Sequence, residues 1–464
     1  MFSDNHVLDI QIVLTIENWN AMQPAQQAGG PQGRGARGGG PPHRVGPPGG
    51  GQQGRGGPPQ GRGGPPQAGG PPGGGPPGGG PGGGTEFTYV KAQLVVDGEQ
   101  YADVGLRFKG NSSYRGSANS LKRPLKIHMD KYNKKQSLYG RDKLNLSNAM
   151  LDPAFMKEKL AYELYKSAGL ATPGVGWANV TLTVDGNTVP LGVYVIIDQV
   201  DKQFMKRHFG ADSKDSLLMK PEVGQWQYLG DTAEDYERYD IKYGEKNDKQ
   251  FKKFGELMKL IQDGSDDEFE SEIGKRFDLP LLANYLAVTS LLTNLDSYVA
   301  SPHNYYLMLD KSDGKLRLLP WDLNESFGAN TQGGSFEQIV DWDIDQPWTT
   351  NRLLLTRLFR TKQFPEMYYS ALQQASQEFT AKKLFPKIEE YRKAIAPHVD
   401  KYKAGPGTLG MIAGIDGDRN GINRSAERLV LAIKPFIKRR QASVAAQLAG
   451  KREGQRIAGR GGRP

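Results

Sequence analysis

Residues 23–84 hold 28 of the chain's 60 glycines and 15 of its 30 prolines, with five arginines, no acid and almost no apolar side chain. A stretch of this kind cannot offset its chain entropy by burying surface, so it is expected to be disordered. It includes the heptapeptide GRGGPPQ twice in tandem, at 54–60 and 61–67. Its position constrains the fold. Just before it, Leu8, Ile10, Ile12, Leu14 and Ile16 fall on alternate positions, the period of a half-buried strand. Just after it, FTYVKAQLVVDGEQYADVGLRFKG reads as two strands joined at Asp97-Gly98, a hairpin turn pair. The stretch is therefore a loop inserted within one sheet, not a linker between domains. Loop closure permits this because its cost grows only slowly with length.

The 464 residues suggest several domains or one large two-lobed one. The formal charge is +9. Five of those charges sit in the insertion. Four more sit in residues 450–464, which hold five Lys or Arg and one Glu. The body between them is left without net charge. That argues against a nucleic-acid-binding body, and the insertion lacks the aromatic side chains on which bases stack. No nucleic-acid partner is expected. The insertion reads instead as a spacer, or as a tether to an acidic surface or partner. There is no cysteine, which excludes disulfides, thiolate zinc sites and thiol nucleophiles. Leu279–Leu295 is the longest apolar-leaning run, but it is short and contains Pro280, so it reads as a core helix, not a membrane span. The opening MFSDNHVLDIQIV has neither a basic flank nor a cleavage site and is not expected to act as a signal peptide.

Further along, Pro124–Met129 reads as a short strand. Asp152-Pro153 should open a helix over 153–168, closed by Gly169, with Met156, Leu160, Ala161, Leu164, Tyr165 and Ala168 as its buried stripe. ANVTLTV and VPLGVYVIID, separated by Asp185-Gly186-Asn187, form a second hairpin. From about residue 250 the pattern turns helical, apart from one hairpin, NYYLMLD-KSDG-KLRLLPWD. Residues 352–450 read as helices with proline breaks. The expectation is an α+β fold of two lobes. Residues 1–22 and 86–200 would form a strand-rich lobe with one conspicuous helix, interrupted by the insertion at 23–85. Residues 201–449 would form a helical lobe with one short hairpin, and 450–464 a basic disordered tail.

Four features in this order carry chemistry. RFKGNSSYRG (Arg107–Gly116) is a Gly/Ser-rich turn whose small residues let backbone N–H groups approach an anion, though such turns are usually only turns. In RPLKIHM, Lys126 points away from the face of Leu125, Ile127 and Met129; it is either a solvated lysine or one that holds phosphate in a cleft. On the helix, Glu158 and Glu163 each flank the buried stripe, and either could reach a lysine on the sheet or remain a surface acid. Lastly, Asp296 follows the apolar helix directly, Asn304 starts the hairpin, and Asp322 ends it behind Trp321. Acids at the ends of apolar runs suit a cleft better than packing. Two acids and an amide so placed would suit an oxygen-ligated Mg²⁺ and a catalytic base.

The order of parts resembles a protein kinase, although HRD, DFG and APE motifs are absent. The wording of LRFKGNSS, KRPLKI, KLNLSNAMLDPAFMKEKLAYELYKSAG, PLGVYVIIDQVD, PHNYYLM and LPWDLNESFG resembles the CotH family, named for a spore-coat protein. These stretches cover most of residues 86–330, with FSDNHVLDIQIVL in addition. The resemblance implies a kinase-like fold and transfer of the ATP γ-phosphoryl group to Ser or Thr of extracytoplasmic, spore or cell-surface proteins, with Mg²⁺ or Mn²⁺. It assigns Asp296 as the catalytic aspartate and Asp322 as the metal-binding acid, with Asn304 as the second metal ligand. Gly110, Asn111 and Ser112 become the phosphate loop, and Lys126 the lysine on the α/β-phosphates. Glu158 becomes its helix partner, with Glu163 as the fallback. Trp321 would line the nucleotide pocket or serve only as core. An extracellular or cell-envelope setting follows, with the cytoplasm as the alternative. The alternative function is a non-catalytic surface or spore-coat protein that uses the same fold as a binding module.

Residues 416–427, DGDRNGINRSAE, fit the spacing of a calcium loop. Asp416, Asp418, Asn420, the Ile422 carbonyl and Glu427 would be ligands, with Gly421 at the sharp turn. Arg424 and Asn423 depart from the pattern. A helix over Ser425–Leu448 should follow, whereas the Gly-rich 404–414 should not form one. The competing reading is a capped acidic turn.

Overall fold

The computed structural model describes residues 1–24, 86–117, 119–210, 216–221, 226–301, 303–349, 351–400, 407–425 and 428–458. The insertion expected to be disordered therefore lies outside the described residues, as does Glu427. Met1–Gln23 and Phe87–Pro464 form one compact unit; Pro24–Glu86 falls in a second.

Seven strands close a barrel: β1 (Val7–Leu14), β2 (Val90–Val96), β3 (Glu99–Phe108), β4 (Leu125–His128), β5 (Lys143–Ser147), β6 (Val175–Val184) and β7 (Asn187–Asp198). Their order is β1-β2-β3-β4-β5-β7-β6. Neighbours are antiparallel except β1 and β6, whose parallel pairing from Val7–Trp177 to Leu14–Val184 closes the ring. Period-2 alternation turns Leu8, Ile10, Ile12 and Leu14 inward, against Leu94, Leu106, Ile127 and Ile196. The alternation stops there. Ile16 is exposed, because Thr15 accepts the N–H of Asn18 (3.2 Å) and caps helix α1 (Ile16–Met22). Asp97 (φ 49°) and Gly98 (φ 89°) turn β2 into β3, the doubly left-handed geometry that matches strand twist.

The Gly/Ser turn after β3 is not open. Helix α2 (Ser112–Gly116) forms within it. The conspicuous helix, α3 (Lys157–Ser167), begins one turn later than Asp152-Pro153 suggested. Asp152 Oδ2 still accepts the Lys157 N–H (2.8 Å), but Phe155 at φ 62° interrupts the helical path between them. Its stripe is buried except for the half-buried Ala168, and Lys157, Glu158, Lys159 and Tyr162 are buried as well. The reason is that α3 is covered on both sides. Trp177 Nε1 of the barrel donates to the Phe155 carbonyl (2.7 Å), and Tyr165 Oη bonds Thr289 Oγ1 (2.8 Å) of the long apolar helix.

The rest of the chain packs on α3 and the outer barrel wall in a second apolar core. It comprises α4 (Lys202–Phe209), β8 (Leu217–Pro221), β9 (Tyr239–Tyr243), α5 (Asp248–Asp263), α6 (Asp266–Arg276), α7 (Leu279–Leu292), β10 (Tyr305–Leu309) and β11 (Leu316–Pro320). After these come α8 (Phe336–Val340), α9 (Leu353–Leu358), α10 (Phe364–Glu378), α11 (Ala381–Val399), α12 (Gly407–Asp416), β12 (Ile422–Asn423), β13 (Val430–Leu431) and α13 (Ile433–Leu448). The single hairpin expected here is part of a four-stranded sheet, β11-β10-β8-β9. Buried Leu217, Leu218 and Met219 form an apolar run too short to show a period. No helix of the described residues is long and apolar enough to cross a membrane.

Three expectations for this region are corrected. Pro386 and Pro397 do not break α11 but lie inside it, because the carbonyls they free, on Lys382 and Lys393, belong to exposed residues that water can serve. The Gly-rich segment before residue 416 does form a helix, α12. A Cβ on Gly414 would stand 2.9 Å from the Ala154 nitrogen, so its glycine permits close packing. The basic tail is ordered through residue 458. Gln455 bridges Trp342, Arg452 and Arg456 pair with Asp341 and Asp343 (2.6 and 3.2 Å), and Ile457 is buried.

Candidate active site

Helix α7 ends on Thr293, whose left-handed conformation (φ 42°) turns the chain sharply into the segment 294–304. That segment is pinned from inside. Ser297 Oγ donates to the Asn294 carbonyl (2.7 Å), and Gln332 Nε2 donates to the Leu295 carbonyl (3.3 Å) and to Ser301 Oγ (3.0 Å). Asp296 projects from it with its side chain 16% exposed. Asn304 Nδ2 donates both to the Asp296 carbonyl (3.0 Å) and to Oδ2 (2.8 Å), while His303 Nε2 lies 3.0 Å from Oδ1. The hydrogen bond to Asp296 is the main reason the His303 pKa is raised; the charges of Asp296, Asp322 and Glu325 add to it.

The β10–β11 hairpin brings Asn304 and Asp322 to one end, since Tyr305 pairs with Pro320 and the Trp321 N–H donates to the Asn304 carbonyl (3.2 Å). Asn304 (φ 63°) and Asp322 (φ 56°) are both left-handed, a strained conformation for these residues that packing must hold. The Asp322 N–H donates to Tyr162 Oη of α3 (3.1 Å), which ties the hairpin end to the helix. Trp321 is buried edge-on against Tyr306, with ring centroids 5.4 Å apart.

The two helix acids separate here. Glu158 is buried, its Oε1 has no hydrogen-bond partner, and burial followed by the charge of Asp322 pushes its pKa up to about 8. Glu163 accepts from Tyr391 Oη (2.5 Å) and Lys387 Nζ (3.1 Å) and pairs with Lys159 (3.4 Å). Neither acid pairs with Lys126. Lys126 Nζ donates instead to Gln199 Oε1 (2.7 Å), which also accepts from Asn145 Nδ2 (3.1 Å). Burial first, then the positive charges of Arg107, Lys109, Lys143 and Lys242, pull the Lys126 pKa down to about 7. Lys126 is therefore not a solvated surface lysine.

Sequence reasoning missed several neighbours. Lys109 acts electrostatically on both Lys126 and Glu158. Glu325, ion-paired to Arg428, has its pKa raised by burial and then by Asp296 and Asp322. His303 and Tyr162 hold the two aspartates. All four lie inside the quoted motif stretches, as RFKG, LPWDLNE, PHNYY and KLAYELY, but nothing in their spacing marks them. The charges coupled in this way are acidic at Asp296, Asp322, Glu158 and Glu325 and basic at Lys126, Lys109 and Arg107. Gly110 (φ 77°) lies next to Lys109, where a Cβ would meet Ser113 Oγ at 2.5 Å. Asn111 and Ser112 head the short helix α2.

Among the described residues no three His, Asp or Glu side chains are gathered on one metal position. Asp322 and Asn304 nevertheless supply hard oxygen donors. The Asn304 amide nitrogen is occupied by Asp296, and among the described residues no donor bonds its oxygen. Mg²⁺ commonly takes just one or two protein ligands and completes its shell with phosphate and water, so the residues fit such an ion.

The calcium-type loop is organised differently. Asp416 pairs with Lys434 (2.9 Å). Asp418 Oδ1 accepts the N–H groups of Asn420 (2.8 Å) and Ile422 (3.0 Å), and its Oδ2 pairs with Arg424 (2.6 Å). The Ile422 carbonyl accepts the Asp418 N–H (2.9 Å). The helix expected from Ser425 starts only at Ile433, after the β12–β13 pair. These contacts make a capped turn in which lysine and arginine already neutralise the carboxylates.

Comparison with known proteins bears on this site. Inner spore coat protein H of Bacillus subtilis (strain 168) is 24% identical over 299 residues, 63% of this chain and 78% of that protein. Two solved structures show distant likeness. One is HipA of Shewanella oneidensis MR-1, from its complex with HipB and operator DNA, at 11% identity and a TM-score of 0.28 over 66% of this chain; the match spans only 57% of HipA. The other is the Helicobacter pylori proinflammatory kinase CtkA, at 12% identity and a TM-score of 0.20 over 66% of this chain and 90% of that one. Likeness at these scores carries no argument about the site. The family model described as CotH kinase protein matches residues 106–444, a span that runs from β3 to α13 and takes in these acidic and basic groups alike. The chain belongs to the CotH kinase family.

Proposed function

We propose that the chain is an ATP-dependent Ser/Thr protein kinase that transfers the ATP γ-phosphoryl group to proteins of the spore, cell surface or extracytoplasmic space. One observation carries the reading. Asp296, held by Asn304 and His303, acts electrostatically on Glu325, as Asp322 does on both Glu325 and Glu158, and Lys109 acts on both Glu158 and Lys126. Phosphoryl transfer needs positioning and charge neutralisation more than covalent chemistry, and this is the residue set it requires. Asp296 accepts the proton of the acceptor hydroxyl or orients that hydroxyl. Lys126 and Lys109 hold phosphate oxygens beside the turn of Gly110, Asn111 and Ser112. Asp322 and the Asn304 oxygen would hold Mg²⁺ or Mn²⁺, which neutralises phosphate charge when bound. Glu158 takes its place beside Asp322, and Trp321 backs the pocket through Tyr306. In this reading residues 1–22 and 86–200 form one lobe and 201–449 the other. The name of the spore-coat relative supports the location.

The test is incubation with labelled ATP and Mg²⁺ or Mn²⁺, beside Asp296→Ala and Asp322→Ala. Label should reach protein acceptors only with the unaltered chain; equal labelling by all three would sink the proposal. The separation of Lys126 from Glu158 favours a second reading, a nucleotide-binding module without transfer. Nucleotide binding with no labelled acceptor would select it.

A further inference from the structure

A cavity of about 360 Å³ lies in the helical half, with Trp226, Ile261, Tyr298, Arg352 and Leu354 in its wall. Exposed Gln227, Gln262 and Asn351 form its rim. Trp226 stacks on Tyr298, with centroids 4.6 Å apart and planes at 27°. Arg352 is only 6% exposed. Its Nε donates to the Tyr298 carbonyl, and its guanidinium sits 5.5 Å from the centre of the Tyr298 ring. Among the described residues, neither of its terminal amino groups has an acceptor, and no carboxylate pairs with it.

The other buried arginines among the described residues have their terminal amino groups bonded, although Arg440 Nε has no partner. Arg357 donates to the carbonyls of Leu260, Ile261, Gly264 and Ser265. Arg440 donates to those of Val340, Trp342 and Ser290. A buried cation with open donors costs stability unless an acceptor arrives, and burial lowers the pKa of Arg352 accordingly. A guanidinium fork fits a carboxylate or phosphate group best. At the rim, the Lys259 ammonium sits 5.6 Å from the centre of the Tyr228 ring, while Asp231 accepts from the Tyr228 hydroxyl (3.1 Å). The cavity is thus built for a single oxyanion between aromatic walls, not for a polyanion.

Its position suggests the source of that anion. Tyr298 is two residues from Asp296, so their Cα atoms lie no more than about 7 Å apart. We propose that the cavity docks an acidic side chain of the acceptor protein (Asp, Glu or a phosphorylated serine) within about four residues of the hydroxyl presented to Asp296. The placement rests on the phosphotransfer reading; the anion site itself does not.

The test uses the full chain and serine peptides labelled with a fluorophore, carrying Glu, phosphoserine or Gln at each flanking position. Binding is read by anisotropy without ATP, and transfer is read separately with labelled ATP. Acidic peptides should bind about tenfold or more tightly than their Gln counterparts. Gln262→Glu keeps the oxygen that accepts the Tyr228 N–H (3.2 Å) and adds a charge at the rim. It should weaken acidic peptides by about tenfold, leave neutral ones unchanged, and leave the melting midpoint unchanged. Arg352→Gln should erase the preference. Equal affinity for acidic and neutral peptides, or equal loss for both in Gln262→Glu, overturns the proposal. So does a site that binds inorganic phosphate but shows no effect of peptide charge. Acidic preference in binding without any transfer would uphold the docking site and refute the kinase reading. Transfer without acidic preference would do the reverse.

Discussion

Replacing Glu158 with Gln should stabilise the free protein, by an amount that grows with pH. The carboxyl is 3% exposed, and burial beside Asp322 moves its pKa from 4.5 to about 8. In the unfolded chain it ionises at its ordinary value. Between the two values the folded state binds a proton that the unfolded state has released, so unfolding free energy falls as pH rises through that window. Below the window both states are protonated and nothing is lost; above it the loss is complete. At 1.36 kcal/mol per pKa unit, the wild type forfeits about 3 kcal/mol by pH 7 and about 5 kcal/mol above pH 8. Glutamine has nearly the same shape and cannot ionise. The two proteins should therefore be alike near pH 5 and diverge steadily toward pH 8.5. Urea unfolding without nucleotide or divalent metal, at several pH values, measures this directly. Differences between the two curves cancel the other groups that titrate in the range. Parallel curves would refute the argument, since they would mean that Glu158 is ionised and solvated in the folded protein. The same change should lower phosphoryl transfer by about tenfold or more if Glu158 serves the metal side of the site. Mg²⁺ with a non-hydrolysable ATP analogue should flatten the wild-type slope, because a cation beside Asp322 favours the ionised carboxylate.

Lys126, at about 7, is half uncharged in the free protein at neutral pH. Nucleotide phosphates should restore the charge, so binding should take up a proton between about pH 7 and 9. Calorimetry in buffers of different ionisation enthalpy reads this, and Lys126→Met should abolish it while weakening nucleotide binding. Glu163→Gln should cost about 1–3 kcal/mol of stability by loosening Tyr391, Lys387 and Lys159. It should leave turnover per folded molecule unchanged; a loss equal to that of Glu158→Gln would undo the assignment of the two acids. Calcium or a chelator should not move the melting midpoint, because Lys434 and Arg424 already neutralise Asp416 and Asp418. A clear rise with calcium would mean that the loop gathers its carboxylates on the ion after all.

Much of the candidate site was legible because its residues break a local pattern. Asp296 and Asp322 end apolar runs, and a charge there has no packing role. Their left-handed or sharply turned backbones, and the bonds from Asn304, His303 and Tyr162 that hold them, were not legible. Nor was the buried cation Arg352, since an arginine before a short apolar helix looks the same whether or not it has a partner.

Strand periods, turn pairs and the composition of the insertion were determined by sequence alone, because each depends on neighbours within a few residues. Barrel closure was not, since it pairs Val7–Leu14 with residues about 170 positions away. The helix acids show the same division most plainly. Helical geometry puts Glu158 and Glu163 on opposite flanks of one stripe, but it cannot say what stands beyond either flank. Only packing decided that. Tyr391 and Lys387 come to one side and bond Glu163, while Asp322 comes to the other and leaves one oxygen of the buried Glu158 without a hydrogen-bond partner.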